Sequence, residues 1–168
     1  MRMRSYFLRH GVCALLLPLV ACAPDEPARP TNAPAASAWT MQVSASAGAA
    51  LVLRSEIGAE RLRIACRRQP AELYVVAPVF RQIGSEERLT LGAGDALATL
   101  VVAQNTPRGA PMAASGTLTE IFIEAVAAGR PIGASYGASQ IAPHAPPSEL
   151  AARFADACRQ ALREGGRN

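Results

Sequence analysis

Apolar and polar residues alternate through Trp39, Met41 and Val43, and again through Leu62, Ile64 and Cys66, where Arg61 and Arg63 take the opposite side. A period of two is that of a strand with one face buried. Leu51 to Leu53 adds a second short apolar run between these segments, and residues 73–79 form a β-branched stretch between Pro70 and Pro78. Leu89 and Leu91 lead into Gly92-Ala93-Gly94-Asp95, after which residues 97–103 are apolar again, the signature of a hairpin. Six strands at this spacing predict a mainly β fold, a small antiparallel sandwich or barrel.

The period changes further along. Ile121, Ala125 and Ala128 recur at helical spacing within residues 117–128, and Gly129 stands where a helix C′ glycine belongs. Ile121, Ile123 and Ala125 also alternate, so a strand fits the same residues, but the glycine favours a short internal helix. Ile132 to Tyr136 reads as a strand. The segments 104–115, which includes Arg108, and 138–148 read as loops. Ser148 and Glu149 then supply a helix start, with Ser148 as cap, and Leu150, Phe154, Cys158 and Leu162 recur every four residues toward Gly165.

The N-terminus has a different character. Arg2, Arg4 and Arg9 precede an apolar stretch over residues 11–23, whose 13 residues fall short of the ~20 needed to cross a bilayer and suit an export signal. Leu19-Val20-Ala21-Cys22 resembles the bacterial lipobox. The resemblance implies cleavage after Ala21, a diacylglyceryl group on the Cys22 thiol and acylation of the new amino terminus. It divides the chain into a signal peptide (1–21), a lipidated cysteine with a Pro- and Ala-rich tether (22–38) and one globular domain (39–165). No Asp follows Cys22 directly, which in that family implies passage to the outer membrane.

Cleavage changes the charge. The chain carries +4, but all 17 basic residues are Arg, and three of them leave with the signal, so fourteen Arg then face thirteen acidic residues. The remaining Arg are dispersed among Glu, which does not make the clustered basic face that nucleic acid requires. Of four Cys, Cys13 leaves and Cys22 takes lipid. Cys66 and Cys158 remain, an even pair in an exported chain, each on the inward face of its element, and so an expected disulfide.

Candidate chemistry is sparse. Gly133-Ala134-Ser135-Tyr136-Gly137 matches the G-x-S-x-G nucleophile elbow, which needs a strand, a sharp turn and an immediate helix. Here Pro143, Pro146 and Pro147 follow, and the one histidine downstream of the signal, His144, sits in that proline-rich stretch without a carboxylate to orient it. Small residues at a strand end explain the motif. Glu86-Glu87 and the pair Glu120 and Glu124 are close carboxylates that an exposed surface accounts for. Asp95 beside Gly94 reads as turn chemistry, and Gly92 with Gly94 lacks the third glycine of a dinucleotide site. No cofactor is expected, and the absence of lysine removes Schiff-base and P-loop lysine routes.

The segment from "AGRP" to "FADACR" is similar to small exported proteins of proteobacteria that pair a mid-chain cysteine with one in the last helix, a resemblance that implies no activity. Cys66 with Ser115-Gly116 resembles the periplasmic lysozyme-inhibitor lipoproteins, although Thr117 and Leu118 stand where that family has an aromatic. The sequence therefore points to a lipid-anchored envelope protein, held to a membrane through Cys22 and acting by binding, for instance to an envelope protein. Inhibition of an envelope hydrolase is a more specific form of that reading, and a hydrolase using Ser135 the opposing one. Replacing Cys22 by Ser is expected to release the protein from the membrane fraction, and mass spectrometry of the wild-type N-terminal peptide to find Cys22 acylated. An unmodified terminus elsewhere sinks the anchor.

Overall fold

In a computed structural model of the chain, the residues described are 38–44, 48–84, 88–104, 107 and 109–165. The expected signal peptide, Cys22, nearly all of the tether, Glu86, Glu87 and Arg108 lie outside them.

Among the described residues nine strands and two helices follow one another: β1 (Ala38–Ser44), β2 (Gly48–Arg54), β3 (Glu60–Arg68), β4 (Ala71–Ala77), β5 (Arg88–Ala93), β6 (Ala96–Val102), β7 (Met112–Thr117), α1 (Glu120–Ala127), β8 (Ile132–Tyr136), β9 (Ser139–His144) and α2 (Ser148–Gly165). All strands pair antiparallel in one sheet of order β1-β2-β3-β4-β7-β6-β5-β8-β9. A single sheet excludes the sandwich. The sheet curls into a half-barrel, and both helices lie in its concavity, α2 on β1 to β4 and α1 on β5 and β6. The two edge strands meet at one point, where the Trp39 indole N–H donates to the carbonyl of His144 at 3.2 Å.

The alternation seen in the sequence is the inside and outside of this curl. Leu51 and Leu53 of β2 stand opposite Ile64 and Leu62 of β3, and all four are fully buried beneath α2 with Leu73 and Val75 of β4. From the other side, α2 buries Ala151, Phe154, Ala155, Cys158 and Ala161, so small residues let the helix approach and Phe154 fills the space between. The disulfide Cys66–Cys158 joins β3 to α2 across this contact, with Cα atoms 5.2 Å apart.

Two segments expected as loops are strands. β7 carries Met-Ala-Ala-Ser-Gly-Thr, too small and weakly apolar to announce itself, yet it lies between β4 and β6 at the centre of the sheet. Crowding explains its composition: a Cβ at Gly116 would stand 2.9 Å from both the Leu100 side chain and the Thr99 carbonyl. β9 contains one buried residue, Ile141, and tolerates Pro143 because an edge strand needs no outward N–H.

The internal helix forms, with a different buried face from the one its spacing suggested. Phe122, Ile123 and Val126 point into the core, whereas Ile121 is 72% exposed. Thr119 caps it by accepting from the N–H of Phe122 at 3.3 Å. At the other end Gly129, at φ +69°, allows two closing bonds, Gly129 N–H to Val126 and Arg130 N–H to Ala125. In α2 the first helical bond runs from Ala151 N–H to the Pro147 carbonyl, so Ser148 is the first helical residue and not the cap before it. The fixed φ of Pro147 prepares that start.

Replacing Cys66 and Cys158 together by Ala opens a loop with a separation of 92 residues. Chain entropy then sets the expected loss at about 4–5 kcal/mol as an upper figure, with the real loss in the range of ~2–5. Thermal denaturation against wild type checks it, and an unchanged melting temperature contradicts the role given to this contact.

Candidate binding groove

The concave side of the sheet is filled by the two helices, which leaves its convex face open. On that face, register partners share a side. Thr99 of β6, Thr90 of β5, Ser135 of β8 and Gln140 of β9 are successive partners and form a polar row across four strands. The next row holds Leu97, Gly92 and Gly133, so two glycines leave a trough beside it. Leu97 walls one side and Pro143 the other, with Pro131 and Asp95 at one end, and the groove measures ≈ 520 Å³. Among the described residues no hydrogen bond engages the side chains of Thr90, Ser135 or Gln140, which are therefore available to a ligand.

The two glycines differ in origin. A Cβ on Gly133 would meet the Ile141 carbonyl at 2.9 Å and Pro143 at 3.1 Å, because β9 carries a bulge opposite it. Gly133 is demanded by the fold. A Cβ on Gly92 would meet only the end of the Leu97 side chain, at 3.3 Å, which a rotamer change relieves. Glycine inside a strand weakens it and often marks a bulge, a bend or the close approach of a ligand or another backbone.

The second hollow on this face, ≈ 220 Å³ over Ala50 and Ala65, is different in character. Its arginines already have partners. Arg63 donates to Glu60 at 2.9 and 2.6 Å and to Gln42 at 2.6 Å. The Glu60 hydrogen bond raises its pKa above the usual value, against a smaller opposing effect of burial. Arg67 pairs with Glu72 at 2.8 Å and lies over the Tyr74 ring, 3.4 Å from its centre.

Ser135 lies inside β8 and faces this convex groove. A two-residue turn at Gly137 and Ala138 follows, and then β9, so the strand-to-helix geometry of an elbow is absent here. His144 is the register partner of Ile132, which is fully buried in the core, and so belongs to the opposite face from Ser135. The sheet itself separates the two. Glu120 meets Arg159 of α2 at 3.0 Å on the surface, and Asp95 sits in the β5–β6 turn. Among the described residues no three of His, Cys, Asp and Glu gather as metal ligands, and no helix is long and apolar enough to cross a membrane. Ser115 and Gly116 lie within β7, and the expected contact loop 138–148 is largely β9.

The sequence marked Gly133 within a strand but read Gly92 as part of the hairpin turn, whereas it lies inside β5, and only the pairing of β5 with β8 brings the two side by side. In comparisons with known proteins, no family model, no curated protein and no solved structure matches this chain. The site therefore stands on its own geometry.

Among the described residues no hydrogen bond joins Ser135 to a base, and a serine without one has ordinary alcohol reactivity. Fluorophosphonate probes are expected to label Ser135 in the native protein no more than in Ser135→Ala, read by intact mass. Stoichiometric labelling of wild type alone contradicts the geometry described.

Proposed function

We propose that this chain is a lipid-anchored cell-envelope protein, held through Cys22 to a membrane, the outer membrane facing the periplasm, and that it acts by binding another envelope protein and not by turnover. The groove over Gly92 and Gly133 is the recognition surface in this reading. The observation that carries it is Gly92 itself, a strand glycine that the fold does not require, beside a row of hydroxyl and amide groups with no internal partner. With Asp95 as the single ionisable side chain on its rim, the groove suits an uncharged segment. Such a segment would set a small apolar side chain on the glycine floor between Leu97 and Pro143, and pair its peptide groups with Thr90, Ser135 and Gln140.

The test separates the groove from the rest of the surface. A photo-crosslinking residue at Leu97 in intact cells is expected to give one dominant adduct, whereas the same residue at Ile57, exposed in the β2–β3 turn, gives none in common. Gly92→Val fills the floor with a good strand former and should leave the unfolding free energy within ~1 kcal/mol of wild type while reducing the Leu97 adduct at least ~10-fold. Adducts that are identical from both positions, or unaffected by Gly92→Val, reject the groove.

A further inference from the structure

A sheet that curls without closing keeps two edges, and here they are built differently. β9 is guarded: it carries Pro143, its register with β8 is broken between Ile132 and Ala134, and its last carbonyl accepts the Trp39 indole. Proline, bulges and charges are the devices that stop an edge from recruiting another strand. β1 has none of them. Its sequence, Ala-Trp-Thr-Met-Gln-Val-Ser, contains no proline and no charge, and its register with β2 is unbroken over all 7 residues. Thr40, Gln42, Val43 and Ser44 are exposed and Met41 is half-buried, and the outer edge of this stretch faces no described strand.

We infer that the β1 edge is an interface between two copies of this chain, paired antiparallel about a two-fold axis at Gln42. This register sets Gln42 opposite Gln42 of the second copy, Met41 opposite Val43, and Thr40 opposite Ser44. Every pair then matches like with like: the apolar pair lies on the concave side and the polar pairs on the convex side, and no charged β1 residues oppose one another, although Gln42 of each copy keeps the Arg63 of its own chain as a donor. Val43 gains the cover it lacks alone, since it is 68% exposed although it points to the same side as Trp39 and Met41. A pairing limited to residues 40–44 also leaves Trp39 free to keep its bond to His144. The two-fold operator needs one patch that complements itself, and the sequence around Gln42 provides it. Five residues of edge bury less than a standard interface, so the association is reversible.

Two differently tagged copies of the full chain, expressed together, are expected to co-purify, and Gln42→Lys in both should reduce this at least ~10-fold, because it sets like charges directly opposite. Gln42→Glu in both should reduce it less, because Arg63 of the same chain, which donates to Gln42 at 2.6 Å, partly neutralises each Glu. Lys in one copy and Glu in the other restores co-purification, an outcome that a misfolded variant would not give. In addition, Gln42→Cys in intact cells should produce a disulfide-linked dimer on non-reducing gels, since directly opposed strand residues lie within disulfide reach. Failure of wild-type copies to co-purify, indifference to Gln42→Lys, no rescue by the mixed pair, or linkage of Gln42→Cys to some other protein would each overturn the inference.

Discussion

The packing of α2 against the inner face of β1 to β4 is the contact on which the rest of the structure depends. A nine-stranded antiparallel sheet with a right-handed twist curls, and the curl leaves a concave apolar surface that must be covered. α2 covers it with residues small enough to sit close, and the Cys66–Cys158 bond fixes the helix in one position along β3. Because α2 is the last described element and packs on β1 to β4, this contact joins residues far apart in the sequence, as the 92-residue separation of its disulfide shows. α1 then fills the remaining concavity over β5 and β6, and the Arg159 to Glu120 pair at 3.0 Å joins the helices at the surface. That pair is exposed and contributes little; the apolar contact beneath it carries the weight.

A second fastening acts where the sheet's two halves have least in common. β6 and β7 share only a short stretch of register, Val101 with Ser115 and Val102 with Ala114. The segment after β4 crosses to the far half, where Tyr136 of β8 donates its hydroxyl hydrogen to the Ile83 carbonyl at 3.0 Å and accepts from the Ile83 N–H at 2.9 Å. The Tyr136 ring packs near Phe80, with centroids 6.1 Å apart. One buried side chain thereby satisfies both backbone groups of a residue outside the sheet, which explains how an irregular connection stays attached to the half-barrel.

The parts of this fold legible in the sequence were those whose residues declare themselves locally. β1 and β3 show a period of two and α2 a stripe every four residues, β2, β4, β5, β6 and β8 show short apolar stretches, and Gly129 marks the end of α1 by its backbone alone. What stayed hidden depended on neighbours. β7 reads as a loop because its place between β4 and β6 demands small residues, and the same Ala and Gly content in isolation signals a turn. β9 reads as a loop because an edge strand with one buried side chain has no alternation to show. The buried face of α1 was displaced because Ile121 and Ile123 are equivalent in composition, and only contact with the core distinguishes them. The cysteine pair, by contrast, was legible across 92 residues, since parity and the inward faces of two separately predicted elements agreed. Ser135 shows the opposite failing of motifs: G-x-S-x-G specifies spacing but not which side of a sheet a base occupies.

The division of labour between the two faces follows from the same curl. In open barrels that hold a ligand inside, the concavity is free; here Phe122, Ile123, Val126 and Phe154 occupy it, all 1% exposed or less. Of the sheet itself, the convex face and the edges are what the helices leave uncovered, and such surfaces normally favour charged or bulky polar residues. On β3 and β4 such residues are present on the convex face and satisfy each other, as Arg63 and Arg67 do with Glu60 and Glu72. Across β7 and β6 the same face carries small or apolar side chains instead, Ala113, Leu97 and Val101 among them. In the proposed reading the glycine trough across β5 and β8 and the uncharged edge of β1 take partners because they lack the long charged side chains that guard exposed strands.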